Sequence, residues 1–176
     1  GLTEEDVFSN YENFKLFFDA VYDGDKSNNL NIKTGYPLFF MLNQKSSWEG
    51  LTELSDACRF NTTHIIKSGT FGENFTQEFC YGENLPILGA MFYAIRQSNK
   101  SLEKISMLQG VQQNAVDDLL GQAYFVRAFA HFTLMKIWGP MPYIRKVIGS
   151  DDEWDIPRLS GHETLINIAA DLDTAF

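Results

Sequence analysis

The chain has 176 residues, of which 44% are hydrophobic, so it is large enough for a domain with its own core and too apolar for a disordered chain. Its net charge of −9, with scattered Lys and Arg, argues against nucleic-acid binding, because phosphate neutralisation needs clustered cations. No stretch approaches the ~18 consecutive apolar residues of a membrane-spanning helix.

Helical signals dominate the first 56 residues. Thr3 and Ser9 are each followed three residues later by an acid, which is the pattern of a helix N-cap. Apolar residues then recur at helical spacing up to Tyr22, where the turn sequence DGDKSNN predicts the helix end. Shorter helices are predicted in YPLFFMLNQ and SWEGLTELSD.

Residues 59–84 have a different character, because glycine, threonine, asparagine and single aromatic residues alternate there without a period. The pattern predicts a long irregular loop, and a loop of this length inside a compact domain is usually functional. Cys58 and Cys80 flank or lie in this loop without CxxC spacing, which argues against a zinc site. We expect both thiols to be free, although a disulfide between them stays open.

Regular helical spacing returns at Leu85 and predicts one long helix, or two in series, before Gly110. A further helix, capped by Asn114, carries one apolar stripe from Val116 to Ile137 and a second made of Phe125, Phe129 and Phe132. A helix that is apolar nearly all round is predicted to pack between other helices. Residues 139–160 form a connecting strap, and Ser160 with Glu163 makes a capping box for a last helix.

These elements predict an all-α fold of antiparallel helical hairpins, of tetratricopeptide-like type, with the long loop 59–84 inserted. We expect residues 1–176 to form a single helical domain. Because the sequence starts without a methionine and stops inside an apparent helix, we also expect it to be the N-terminal portion of a larger protein.

Arg127 lies on the buried stripe of the helix, four residues after Ala123 and three before Ala130. A buried guanidinium must be paired, and the nearest candidate partners in an adjacent helix are Asp171 and Asp173. The alternative is that Arg127 extends to the surface. Either way its role is structural. The helix must end at Gly139, because Pro140 and Pro142 enforce an extended exit.

Four motifs in order resemble the SusD/RagB-type outer-membrane nutrient-binding proteins of Bacteroidota. ELSD in residues 53–56 is the first, and FYAIRQSNKSL is similar to the second, with an irregular spacing after Tyr93. The third resembles A-x-x-x-R-A-x-x-x-x-x-L-x-x-x-[FWY]-G-x-x-P, at Ala123, Arg127, Ala128, Leu134, Trp138, Gly139 and Pro142. The fourth matches at Pro157, Arg158, Ser160, Glu163, Ile168, Asp171, Leu172 and Ala175.

The resemblance implies a surface-exposed lipoprotein of the outer membrane that binds an oligosaccharide without hydrolysing it. It also implies a TonB-dependent transporter as partner, and a membrane anchor through a lipidated cysteine upstream of Gly1. Sugar binding needs aromatic faces and planar polar groups. The residues that we expect to supply them are Tyr81, Phe79, Asn84, Phe71, Arg59 and Trp48.

Three other interpretations stay open or are disfavoured. An equal alternative for each ring of the loop is that it packs the loop onto the helices, and Trp154 is expected to anchor a solvated acidic loop. A helical-repeat scaffold that docks on the transporter, with no ligand site, is the alternative function. We expect no enzyme, cofactor or metal site, because no catalytic motif occurs and His64, His131 and His162 lack ligand spacing. His131 is predicted to be a hydrogen-bonded core residue.

Overall fold

A computed structural model describes residues 3–23, 67–69 and 87–176 of the chain. The chain divides into two compact units, one made of Gly1–Asp19 with Met91–Phe176 and the other of Ala20–Ala90. Of the second unit, the described residues are two helix ends and the exposed residues 67–69. The single-domain organisation expected from the sequence stays a prediction.

Two helices open the chain, α1 at Glu4–Phe8 and α2 at Tyr11–Asp23. The predicted cap of α1 is confirmed, since the Thr3 hydroxyl accepts from the backbone N–H of Asp6 and the Asp6 carboxylate accepts in return. The predicted Ser9 cap is wrong. Ser9 donates its hydroxyl to the carbonyl of Glu5, and Asn10 accepts from the N–H of Asn13 instead. Asn10, and not Ser9, therefore supplies the side-chain oxygen that caps α2.

The first core cluster joins elements that are far apart in sequence. Phe8, Phe14 and Leu119 are buried together, with the rings of Phe8 and Phe14 edge-to-face at 5.2 Å between centroids. The side chains packed around them are half-buried: Val7, Tyr11, Phe17, Ile105, Met107 and Leu108.

The next helix, α3, spans Ile87–Lys104 and continues as a 3₁₀ turn at Ile105–Met107. It ends as predicted near Gly110, which has a φ of +66° that favours glycine. Lys100 and Lys104 of α3 both pair with Glu4, at 2.9 and 3.4 Å, and so tie α3 to the start of the chain.

The last two helices are α4 at Gln113–Trp138 and α5 at Gly161–Ala175. They run antiparallel, because Gly121 near the start of α4 approaches Ala175 at the end of α5, while Met135 contacts Gly161. A Cβ on Gly121 would lie 2.9 Å from the Ala175 carbonyl oxygen, so the absence of a side chain permits the close approach. This helical hairpin confirms the predicted all-α architecture in the part of the chain described.

The two ends of this hairpin test the predicted caps. The capping box at Ser160 and Glu163 is confirmed, with both reciprocal bonds formed. The Asn114 cap is wrong, because α4 already begins at Gln113 and the Asn114 side chain accepts only from Ala115. Gly139 closes α4 with a φ of 76° and a ψ of −170°, so the chain leaves the helix extended and not in the left-handed helical form.

The second apolar stripe of α4 departs from its predicted burial. Phe125 is 36% exposed and Phe132 is 41% exposed, whereas the Ala123 to Leu134 stripe is buried against neighbouring elements. One face of α4 therefore points away from the described core. Within residues 3–23, 67–69 and 87–176, no helix is long and apolar enough to cross a membrane.

Candidate functional site

The buried charge of Arg127 is paired with Asp171, across the α4–α5 contact. The Arg127 Nε and Nη2 atoms each donate to one carboxylate oxygen of Asp171 at 2.7 Å, a bidentate geometry that fixes both side chains. Arg127 is 4% exposed and Asp171 2% exposed, whereas Asp173 is exposed on the other side of α5. Burial opposes the guanidinium charge, but the bonds to Asp171 outweigh it and raise the pKa of Arg127.

Asn99 of α3 connects this pair to the strap. Its Oδ1 accepts from Nη1 of Arg127 at 2.9 Å, and because a guanidinium can only donate, this bond sets the orientation of the amide. The Asn99 Nδ2 group then points at the strap and donates to the carbonyl oxygens of Ile144 and Lys146, both at 3.1 Å. One side chain thus joins α3, α4 and the strap.

Tyr143 of the strap and His131 of α4 together fix the strap to the helices. The Tyr143 hydroxyl donates to Asp171 at 2.6 Å, and burial, helped by this bond, raises the pKa of Tyr143 far above its usual value. The Tyr143 ring stacks on His131 at 3.9 Å. The prediction that His131 is a hydrogen-bonded core residue is confirmed, since its Nε2 accepts from the N–H of Ile144 and its Nδ1 lies 2.9 Å from the Arg127 carbonyl.

These contacts define the protonation state of His131. A ring whose Nε2 accepts from a backbone N–H and whose Nδ1 donates to a carbonyl is neutral, with the proton on Nδ1. Burial lowers the pKa of His131 to about 4, with the neighbouring Arg127 charge acting in the same direction. His131 therefore stays neutral and serves as a fixed hydrogen-bonded link between α4 and the strap.

Further along the strap, two side chains of α3 bind its backbone, and one side chain of the strap binds α5. Glu103 accepts from the N–H of Val147 at 2.7 Å, and Arg96 donates to the carbonyl of Ile148 at 2.9 Å. Arg145 donates to Asn167 of α5 at 2.7 Å. Backbone groups of a segment that has no helix or sheet partner are thus satisfied by side chains of the surrounding helices.

The side chains of the strap between residues 143 and 148 divide between two sides. Tyr143 and Arg145 face α4 and α5, where their partners lie. Ile144, Lys146 and Ile148 face the other way and line a cavity of about 410 Å³. Its remaining walls are one face of α3 and the ends of the strap: Phe92, Ile95, Arg96, Met141, Pro142, Trp154 and Ile156.

The chemistry of this cavity is apolar with two cations. The described lining contains no acidic side chain, and both Arg96 and Lys146 are exposed, which places their charges at the mouth. Trp154 lines the cavity and is 66% exposed, so its ring is not buried as the predicted anchor of the acidic loop would be. The volume is in the range of small-molecule sites.

The sugar-binding residues expected from the sequence lie outside the residues that the structure describes: Trp48, Arg59, Phe71, Phe79, Tyr81 and Asn84. Sequence reasoning missed the roles of Asn99, Tyr143 and His131 as strap anchors. Asn99 stands in the matched motif, but a motif does not say what its amide binds. Among residues 3–23, 67–69 and 87–176, no three His, Cys, Asp or Glu side chains converge as a metal site would require.

Comparison with solved structures places the fold. The chain superposes on a SusD-like protein of Bacteroides fragilis with a TM-score of 0.64 and 18% identity, covering 98% of this chain and 30% of that one. A second neighbour from the same organism, a SusD-like carbohydrate binding protein, gives a TM-score of 0.66 and 16% identity, covering 96% and 31%. At these identities the likeness shows the fold, which is the tetratricopeptide-like helical one.

Sequence comparisons agree. SusD-like protein P2 of Formosa agariphila is 27% identical over 140 residues, and SusD-like protein P38 of the same organism is 33% identical over 117. The matches cover 76% and 65% of this chain but 28% and 21% of the relatives, so the chain spans less than a third of their length. Residues 38–176 match the SusD-like family model described as starch-binding and associating with the outer membrane, and the chain belongs to that SusD-like family.

Proposed function

We propose that this protein binds an oligosaccharide at the cell surface, without cleaving it, and passes it to a TonB-dependent transporter of the outer membrane. The observation that carries this proposal is the family match over residues 38–176, together with a structural neighbour described as a carbohydrate binding protein. An anchor of the longer protein in the outer membrane through an upstream lipid is part of the same proposal.

The chemistry of the described polar residues supports binding over catalysis. Asp171 accepts from Arg127 and Tyr143, and both nitrogens of His131 are engaged by backbone groups. Groups held in this way are not poised to transfer protons to a substrate, which a glycosidase would need from a pair of carboxyl groups. They build a rigid frame instead.

The sugar platform is proposed to lie in loop 59–84, with Tyr81, Phe79, Asn84, Phe71 and Arg59 as contacts and Trp48 nearby. An aromatic ring offers a flat apolar face to the C–H side of a sugar, and amide and guanidinium groups bond its hydroxyls. Loops carried on a rigid scaffold commonly supply such residues.

Tyr81→Ala tests this proposal. If the ring stacks on sugar, titration calorimetry with a starch oligosaccharide should show affinity for the native chain that falls more than about fivefold in the variant. Phe132→Ala, which removes an exposed ring of α4, should leave the affinity unchanged. Equal binding by the native chain and Tyr81→Ala would contradict the proposed platform, and the absence of binding to any glycan would contradict the function.

A helical scaffold that docks on the transporter is the second candidate. It is favoured by the apolar side chains exposed on α4 and α5, which are Phe125, Phe132, Leu165 and Ile166. Large exposed apolar groups on adjacent helices are typical of protein interaction surfaces. Binding to the purified transporter that persists without sugar binding, and that Phe132→Asp abolishes, would favour this candidate.

A further inference from the structure

We propose that the cavity between α3 and the strap binds a small amphipathic anion: an aryl or branched alkyl group that carries a single acidic headgroup. This proposal does not depend on sugar binding. It rests on the walls, the backbone support and the charges of the cavity.

Hydrogen bonds from helix side chains to the strap backbone, here called the polar frame, hold the cavity open. Five backbone groups of the strap are bonded by side chains of α3 and α4: the carbonyls of Ile144, Lys146 and Ile148 and the amides of Ile144 and Val147. Their donors and acceptors sit on helices that are themselves joined through Arg127. A strap pinned at so many points cannot fold down to fill the space, so the site is preorganised.

The walls suit an apolar body. On α3, Phe92, Ile95 and Arg96 lie at helical spacing on one face, and opposite them the strap presents Ile144 and Ile148. Met141 and Trp154 complete the enclosure. Branched, aromatic and thioether side chains together favour a flat ring or a branched chain. A bare sugar would find few hydroxyl partners in the apolar interior.

The mouth suits a negative headgroup. Arg96 uses one guanidinium N–H for the Ile148 carbonyl and, having five donors, keeps others for a ligand. Lys146 is 65% exposed, and its one described carboxylate neighbour, Asp152, lies 3.6 Å from the ammonium, longer than a close ion pair. A carboxylate or sulfonate between these cations would bond both while its apolar part enters the cavity.

The acidic residues of the strap act against this attraction and limit it. Asp151, Glu153 and Asp155 flank Trp154 and are exposed, so water and salt screen them. Asp152 is held by the backbone N–H of Gly149 at 2.7 Å, and this bond, with the Lys146 charge, lowers its pKa. We therefore expect the headgroup to contribute modestly and the apolar walls to dominate the affinity.

Two fluorescent probes that share an aryl body test the proposal: anilinonaphthalene sulfonate, which is anionic, and phenylnaphthylamine, which is neutral. The native chain should bind one sulfonate probe, and Lys146→Gln should weaken that binding about threefold while leaving the neutral probe unchanged. Lys15→Gln removes a cation of α2 that pairs with Asp19 and should affect neither probe.

Ile148→Trp is designed to fill the cavity and should abolish binding of both probes. Ile166→Trp makes the same change at an exposed site on α5, where Ile166 is 54% exposed, and should bind both probes like the native chain. Helical circular dichroism checks that each variant is folded. If Ile148→Trp does not fold, nuclear Overhauser contacts between the probe and the methyl groups of Ile95, Ile148 and Ile156 in the native chain locate the probe instead.

Three results would overturn the proposal. Probe binding that survives Ile148→Trp, or Overhauser contacts confined to other residues, would place the apolar site elsewhere. A Lys146→Gln variant that binds both probes as the native chain does would remove the anionic headgroup. Displacement of the probe by a starch oligosaccharide but not by phenylbutyrate would make the cavity a sugar site. Phenylbutyrate displacement, with no effect of Tyr81→Ala on it, is the expected outcome.

Discussion

At the residue scale, the cost of placing a guanidinium inside a helical layer is offset by the number of its bonds. Arg127 donates to Asp171 through two atoms and to Asn99 through a third, all within 2.9 Å. Such a pair adds little net stability over an apolar pair of the same size, because both ions lose water. Its contribution is to specify which helices meet and in which register.

Removal of the Asp171 charge should therefore destabilise the chain far more than the modest net contribution of the pair suggests. Asp171→Asn keeps the shape but leaves the Arg127 charge buried without a counterion, and we expect a loss of about 3–5 kcal/mol in the free energy of unfolding. Asp173→Asn changes an exposed carboxylate two residues away and should cost less than about 0.5 kcal/mol. Urea denaturation followed by circular dichroism measures both, and equal effects would refute the buried pair.

His131 makes the stability of the chain depend on pH in a defined window. Its pKa is about 4 in the folded chain against 6.5 for a free histidine, so the unfolded state binds more protons between these values. The stability that depends on neutral His131 is fully present above the unfolded pKa of 6.5 and is lost as pH falls below it. Between pH 7 and pH 5 the expected loss is about 2 kcal/mol.

Denaturation curves recorded at pH 7, 6 and 5 check this dependence. His131→Gln should lower stability at neutral pH and flatten the profile, because the group that titrates is gone. His162→Gln removes an exposed histidine and should keep the native slope. The bonds from Ser160 lower the pKa of Glu163, so protonation of this exposed carboxylate does not account for a loss in this window. A native profile that is flat from pH 7 to 5 would contradict the neutral, buried ring.

At the element scale, the contact between α4 and α5 depends on a small residue. Gly121 lets the Ala175 carbonyl approach to a distance that a side chain would forbid. A glycine inside a helix normally costs about 1 kcal/mol relative to alanine, so its presence within α4 indicates that close packing outweighs helix propensity.

Gly121→Ala should therefore lower the melting temperature, although alanine is the better helix former. The new Cβ at 2.9 Å from backbone must push the helices apart, and we expect a net loss of roughly 1–2 kcal/mol. Gly161→Ala at the start of α5 would place its Cβ 3.7 Å from Met135, an ordinary contact, and should be neutral or stabilising. A higher melting temperature for Gly121→Ala would show that α5 shifts without cost.

At the scale of the whole molecule, the strap adds a cavity with an open mouth to the helical hairpin. Its odd-numbered side chains at 143 and 145 reach α4 and α5, and its even-numbered ones at 144, 146 and 148 form the cavity wall. The buried polar contacts and the apolar cavity thus lie on two sides of one segment. A substitution that breaks a bond of the polar frame should therefore loosen the cavity wall.

Asn99→Ala tests this coupling. It removes the donors to the Ile144 and Lys146 carbonyls, so the amides of Ile144 and Val147 should exchange with solvent at least about tenfold faster. The amide of Phe14 in α2 should change less, because its partner is Asn10. Asn167→Ala, which removes an exposed partner of Arg145, is the control. Uniform acceleration at all amides would indicate global loss of stability and refute a local role.

Features with a local physical cause were predictable from the sequence. The helix periods, the capping boxes at Thr3 and Ser160, and the exit at Gly139 depend on a few adjacent residues, and the structure agrees with them. The local pattern chose wrongly at Ser9, where the neighbouring Asn10 caps the helix instead, and at Asn114, because the helix begins before it. The predicted sugar platform lies outside the described residues and stays a prediction.

The sequence by itself determined that the chain is helical, that Arg127 lies on an apolar stripe and that the helix carrying it ends in an extended exit, because propensity and period act within a few residues. Only the tertiary structure decided that Asp171 and not Asp173 is the partner, and that Asn99 and His131 hold the strap. These contacts join residues from 13 to 47 positions apart, so they depend on where helices cross and not on any local pattern.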